Sequence, residues 1–257
     1  MTFPTKSPLQ RNPLRLPGQS LDDRIREVIE RQINDRILFA GMMGMLTIFE
    51  WARWAFELKM NPLILTMAFI AIALAIIPGI VRTRKQIRAM RLGRDGERAV
   101  GQALEQLRRY GYRVFHDILG PNWNIDHLVI GPGGIFTVET KTLSKPLRGR
   151  AVIRYEKRSL TKGRFDISKH LDQARAQAAY VEAWLKDVTG QRHVVQPSLV
   201  FPGWSVDTCD ADPQVWVMDP KELIKRVQAR ETQLSPEQIK SAASALSIEI
   251  RSTYVAA

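Results

Sequence analysis

The chain has 257 residues, 45% of them hydrophobic, enough for one large domain or two small ones with a buried core. Its formal net charge of +12 points to a polyanionic partner or an anionic membrane surface. One cysteine, Cys209, excludes an internal disulfide and fits a reducing compartment, and four scattered histidines without cysteine partners argue against a structural zinc site.

Residues 1–20 are polar and proline-rich and read as disordered, with no cleavable signal peptide, because the apolar segment starts too late. Leu21–Arg36 reads as a short amphipathic helix, so residues 1–36 form an N-terminal tail leading toward the first apolar run. Residues 62–81 hold twenty uncharged positions, and at about 1.5 Å per residue they span a hydrocarbon core of about 30 Å. A buried helix of a soluble domain is the alternative. Residues 37–56 form a weaker span, apolar and Met-rich but interrupted by Glu50 and Arg53, which sit three apart on one helical face. Trp51 and Trp54 suit an interfacial belt, and a shorter span ending near Phe49 is the other reading. With only Glu57–Asn61 between them, the two runs are expected to form a transmembrane hairpin over 37–81. Residues 82–94 then carry Arg82, Arg84, Lys85, Arg88, Arg91 and Arg94 against no acid before Asp95, whereas the connection offers only Lys59. The positive-inside rule therefore places both termini in the cytoplasm, the protein in the cell membrane, and residues 82–92 as a basic linker.

From residue 93 the pattern changes to a mixed α/β domain running to residue 257. Asp95–Arg109 has helical spacing of Val100, Leu104 and Leu107, and Gly111 ends it. Strands are expected at Tyr112–Ile118, Ile125–Ile130, Gly134–Lys141 and Ala151–Tyr155. A helix follows over Ile167–Asp187, then strands at His193–Phe201 and Gln214–Met218, and closing helices at Pro220–Gln228 and Pro236–Ile248. This order predicts a mixed central sheet flanked by helices.

The stretch from Asn124 to Lys141 is the most informative. It reads as two apolar strands around Gly131-Pro-Gly-Gly134, and it places Asp126, Glu139 and Lys141 on them. Glu139 and Lys141 are two apart and project from one face. Two carboxylates can hold a hard divalent cation, Mg²⁺ or Mn²⁺, which polarises a phosphoryl oxygen, and an ammonium beside them stabilises developing charge. A solvated polar face is the ordinary reading of such a pair. Against it, the near-continuous runs around Leu128–Ile130 and Ile135–Val138 predict strands covered on both sides, where charges are costly unless paired or bound to a metal. His127 should face away from Asp126 and is read as packing or a hydrogen bond, not as a ligand.

Gly93-Arg-Asp-Gly-Glu97, Gly111-Tyr-Arg-Val-Phe-His-Asp117, Asn124-Ile-Asp-His-Leu-Val-Ile130, Gly133-Gly-Ile-Phe-Thr-Val-Glu-Thr-Lys141 and Gln173 together resemble the nuclease-related domain, NERD, of the PD-(D/E)xK nuclease superfamily. The resemblance covers residues 93–220 in order. It implies a restriction-endonuclease-like fold, a metal-reaching role for Glu97 in the first helix, and a glutamine, Gln173, beside the active site. The family often has Asn-Pro before that glutamine, where this chain has His170-Leu-Asp172. Read from the residues alone, Glu97 is a first-turn glutamate favoured by the helix dipole, and Gln173 a surface amide.

Residues 145–169 hold nine basic side chains against Glu156 and Asp166. Arg148, Arg150, Arg154, Lys157 and Arg158 are candidates for tracking a phosphate backbone, and a solvated basic loop is the alternative. Tyr155, Trp204 and Trp216 are candidates for stacking on bases or for the core. The expected function is a membrane-anchored, metal-dependent nuclease acting on nucleic acid, DNA first, with a lipid bilayer as its other partner and no small-molecule cofactor. The rival is a tethered nucleic-acid-binding or scaffold module without cleavage. A transporter is disfavoured, since two spans without a polar stripe give little to conduct through.

Overall fold

The computed structural model describes residues 14–56, 62–120, 123–146, 150–209 and 214–253. The chain divides into two compact units, one of residues 20–92 and one that joins the preceding N-terminal residues to everything from Gly93 on.

In the first unit, α1 (Gln19–Val28) runs through a π-helical stretch, Ile29–Asn34, into α2 (Asp35–Ala55). Helix α3 (Pro62–Leu104) returns antiparallel to α2. The contacts step in opposite directions along the two helices: Trp51 Nε1 donates to Thr66 Oγ1 at 3.0 Å, Gly44 faces the Phe69 ring, and Thr83 Oγ1 reaches Gln32 Oε1 at 3.1 Å. Only one described helix, α3, is long and apolar enough to cross a membrane, with a mean hydropathy of 1.9 over its best window. Helix α2 is not, because Asp35, Arg36, Glu50 and Arg53 lie within it and the last two form an ion pair at 3.2 Å. The expected two-span hairpin is thus corrected to an antiparallel helix pair with one candidate span. The basic linker expected at 82–92 is helix too: good helix formers such as Arg, Lys, Gln, Ala and Met carry α3 without a break into the next unit. The connection at 57–61, including Lys59, lies outside the described residues.

The second unit holds nine described strands: β1 (Arg113–Leu119), β2 (Asn124–Gly131), β3 (Gly134–Thr140), β4 (Val152–Glu156), β5 (Ser159–Lys162), β6 (Phe165–Asp166), β7 (Val195–Val200), β8 (Ser205–Cys209) and β9 (Trp216–Met218). Its helices are the last turns of α3, α4 (Lys169–Thr189), α5 (Pro220–Gln228) and α6 (Pro236–Thr253). The main sheet has the order β1-β2-β3-β7-β9, antiparallel through β3 and parallel beyond it. Alternation along the strands decides which helices cover which side chains. Leu128, Ile130 and Ile135 pack with Val181 and Leu185 of α4 and Leu246 and Ile250 of α6. Val129, Phe136 and Val138 pack on the other face with Val100 and Leu104 of α3 and Leu223 and Val227 of α5. Each such side chain, fully buried, contributes about 1.5–3 kcal/mol, so both faces of β2 and β3 read as apolar runs.

A second sheet, order β6-β5-β4-β8, was not expected beyond β4. Its own core joins Ile153, Tyr155, Leu160, Phe201 and Trp204. It replaces the single central sheet of the sequence reading with two mixed sheets. The short strands β5 and β6 escape pattern reading because Lys162, Gly163 and Arg164 look like a basic loop.

Candidate active site

The site is built on the β2–β3 hairpin. Gly131 must be glycine here, because a Cβ would stand 2.1 Å from the Tyr112 ring, which seals the turn. The Tyr112 hydroxyl accepts from Gly133 N at 3.1 Å and donates to Val227 O at 3.0 Å. The ladder pairs His127 with Val138. Its next step sets Asp126 opposite Glu139, so both carboxylates leave one face of the sheet. Had they pointed to opposite faces, a shared site would have been impossible.

Both acids are buried, Asp126 at 5% and Glu139 at 2% exposure. Asp126 Oδ2 accepts from Thr140 N at 2.7 Å. Glu139 Oε1 accepts from Lys141 Nζ at 2.5 Å and from Gln173 Nε2 at 2.8 Å. Glu139 Oε2 accepts from Gln177 Nε2 at 2.6 Å, and the same amide donates to Asn124 O at 2.9 Å. Gln173 and Gln177 are one helical turn apart on α4, which brings both amides to one acid. The residue reading missed Gln177. Its signal was present as the i+4 neighbour of Gln173.

Glu97 arrives from α3, 7% exposed. Its neighbour Gly96 lets the helix approach the chain leaving β3, since a Cβ there would lie 1.7 Å from Thr142 Oγ1. Glu97 Oε2 is buried without a hydrogen-bond partner. Burial, then Asp117 and Glu139, push its carboxyl up to about 7 against the pull of Lys141. Burial, then Glu139 and Glu97, push Asp126 well above the usual carboxylate range, against the Thr140 amide and Lys141. His170 falls to about 4 through burial and then Lys141 and Lys169, so it is neutral at pH 7. Glu97, Asp126, Glu139, Lys141 and Gln173 therefore share one locality, the last through its bond to Glu139.

Asp117 joins them as an unforeseen fourth acid. It is fully buried, has φ 51°, and stands between the pairs His116–His127 and Ile118–Ile125 of the β1–β2 ladder, opposite Asp126. Arg15 Nε meets Asp117 Oδ2 at 2.6 Å. Nothing in the sequence around Arg15 announces that long-range ion pair. His127 is fully buried, with its Nδ1 2.9 Å from that of His116.

The basic candidates are spread over the second sheet. Arg150 and Arg154 line a groove of about 550 Å³, and Lys157 and Arg158 form the β4–β5 turn with φ of 44° and 68°. Arg148 lies outside the described residues. Tyr155, Trp204 and Trp216 are 1%, 4% and 8% exposed, which makes them core rather than stacking platforms.

No three His, Cys, Asp or Glu side chains among the described residues form a ready-made ligand cluster. The donor chemistry nevertheless fits a hard cation. Glu97 Oε2 has no partner, Glu139 Oε2 takes a single donor, and burial followed by neighbouring acids raises both carboxyls, Asp117 and Glu139 acting on Glu97 and Glu139 and Glu97 on Asp126, as for acids short of a counterion. Lys141 is the group that would have to move off Glu139 for a cation to enter.

Fold and site together define a mixed α/β domain with clustered carboxylates and one lysine at the end of a strand hairpin. Residues 92–202 match the nuclease-related domain family. The match takes in Glu97, Asp126, Glu139, Lys141, Gln173 and strands β4, β5 and β6 of the second sheet, and it stops short of β8, β9, α5 and α6. No curated protein and no solved structure matches the chain.

Proposed function

We propose that this protein is a membrane-anchored nuclease that hydrolyses phosphodiester bonds of nucleic acid, DNA first, with Mg²⁺ or Mn²⁺. The observation that carries the reading is the convergence of buried acids, Glu97, Asp126 and Glu139, on the single ammonium of Lys141. Asp126, Glu139 and Glu97 would hold the cation, which supplies charge neutralisation at a phosphoryl oxygen. Gln173 and Gln177 fix the Glu139 carboxylate from the α4 side, so its orientation costs little to maintain during reaction. Lys141, displaced from Glu139, is placed to donate to a non-bridging phosphate oxygen as charge builds there. The anchoring part rests on α3 and on the exposed apolar side chains of the first unit, among them Leu38, Met45, Ile48, Met67 and Leu74 at 64–75% exposure.

The test uses the full chain in detergent with a labelled oligonucleotide. Cleavage should require Mg²⁺ or Mn²⁺ and stop in EDTA. Glu139→Ala should abolish it, and Lys141→Ala should keep calorimetric metal binding yet lose turnover by about 10²–10³-fold, the usual scale for one preorganised donor. A wild-type chain that binds the oligonucleotide and never cuts it would leave the tethered binding module as the correct description.

A further inference from the structure

The second sheet carries a feature that hydrolysis does not itself require. The β5–β6 hairpin is closed by Gly163 (φ 58°) and Arg164, with Lys162 paired to Phe165. Phe165 is 61% exposed although it is the largest apolar side chain of the tip. Beside it runs the groove of about 550 Å³, lined by Lys145, Arg150, Arg154, Lys162 and Arg164 and by no acidic side chain among the described residues. Trp204 forms part of the wall, but it is committed to structure: its Nε1 donates to Leu143 O at 3.0 Å, and Lys162 Nζ sits 5.1 Å above its ring. Phe165 also carries a cation, Arg164 Cζ 5.5 Å from its ring centroid, but unlike the buried Trp204 it is exposed and presents ring surface to a ligand.

The groove wall at Ser144 and the β5–β6 hairpin are each joined to the acid site through the chain. Ser144, in its wall, follows Lys141 by three residues, so their Cα atoms are at most about 11 Å apart. Lys162 Nζ also reaches Ser144 O at 3.4 Å. At the hairpin, Ser168 Oγ accepts from Leu160 N at 2.9 Å and starts α4, which brings Gln173 to Glu139 within two turns. A strand lying along the cations would thus run past Ser144, within about 11 Å of the Lys141 Cα.

We propose that this groove holds single-stranded nucleic acid, its phosphates on Arg150, Arg154, Lys162 and Arg164 and one base stacked on Phe165, so that the substrate of the neighbouring site is a single strand or a frayed end. The proposal rests on the nuclease reading for its biological use, though not for its binding. Cations alone would accept a duplex equally well. An exposed ring at the edge of the groove can meet a base only when that base is unpaired.

Fluorescence anisotropy on the full chain in detergent and EDTA would test it, with a labelled oligothymidylate and a hairpin duplex of equal charge as probes. The single strand should bind more tightly than the duplex. Phe165→Ala should weaken the single strand by about 5- to 150-fold and leave the duplex within about twofold, while Phe165→Trp retains binding. Arg154→Ala should remove about 0.7 from the slope of log affinity against log salt for the single strand. Equal affinity for both probes with no effect of Phe165→Ala overturns the proposal. So does an unchanged salt slope when Arg154→Ala instead lowers retention on phosphatidylserine vesicles relative to wild type and leaves phosphatidylcholine vesicles unaffected, which would make the groove a headgroup site. Because EDTA silences cleavage, binding as predicted by a chain that never cuts would sink the nuclease reading alone, and cleavage indifferent to Phe165 would sink the groove alone.

Discussion

At Glu97 the protein holds a carboxyl that titrates near 7 when folded and near 4.5 in its ordinary state, because burial and the charges of Asp117 and Glu139 favour the protonated form. A folded value above the unfolded one gives stability that is fully present below about pH 4.5 and lost as pH rises through about 7. At 1.36 kcal/mol per unit the loss is about 3 kcal/mol, and Asp126 moves the same way. In chelator, the denaturant midpoint should therefore fall across that window, and Glu97→Gln should flatten it. Saturating Mg²⁺ should reverse the slope, since the cation selects the ionised acids. A midpoint insensitive to pH in the wild type would remove Glu97 from the acid cluster. Asp126 and Glu139 were legible as residues on strand patterns, and Glu97 through the family resemblance. Their near-complete burial and the partnerless Glu97 oxygen were not, because they depend on which helices pack over the sheet.

Among elements, the junction of α3 with the chain beyond β3 depends on the missing side chain of Gly96. Gly96→Ala should cost about 1–3 kcal/mol by overpacking against Thr142 and weaken metal binding by displacing Glu97. Thr142→Gly in the same chain should restore both, and calorimetry of the two variants would read it. If Gly96→Ala alone keeps full stability and metal affinity, the close approach does not position Glu97. The hairpin that faces this helix was readable because β2 and β3 are each covered on both sides and their apolar runs are bounded by the Gly-Pro-Gly-Gly turn. Strands β5, β6 and β8 were not, for β6 is only two residues long and β8 pairs in parallel with β4, a partner about fifty residues earlier in the chain. Helix α4 was placed correctly within two residues, yet the bonds of Gln177 to Asn124 and Glu139 appear only once the register is fixed.

For the whole molecule, the charge asymmetry around the one candidate span, α3, leads to the proposal that its basic, C-terminal side faces the cytoplasm. Impermeant thiol reagent on intact cells should label a cysteine placed at Lys59, in a Cys209→Ser background, and spare one at the C-terminus. Labelling of the C-terminal cysteine from outside would refute that orientation. The sequence announced the helix pair through its apolar runs. It overstated the first of them, because Met, Phe and Trp around Glu50 and Arg53 read as a span while the ion pair keeps α2 too polar.

The larger unit is assembled from two separated stretches of chain, and their ends meet: the backbone at Gly18 lies against Arg94, and Pro17 lies against Gly101. The apolar helices are therefore an insert, entered and left at one place. A water-soluble version follows by splicing, with Gln19 joined to Gly93 through a few glycines and residues 20–92 excised. Starting a fragment at residue 93 is a different operation. It discards Arg15 and breaks its 2.6 Å ion pair with the fully buried Asp117, and a broken buried pair costs about 3–5 kcal/mol.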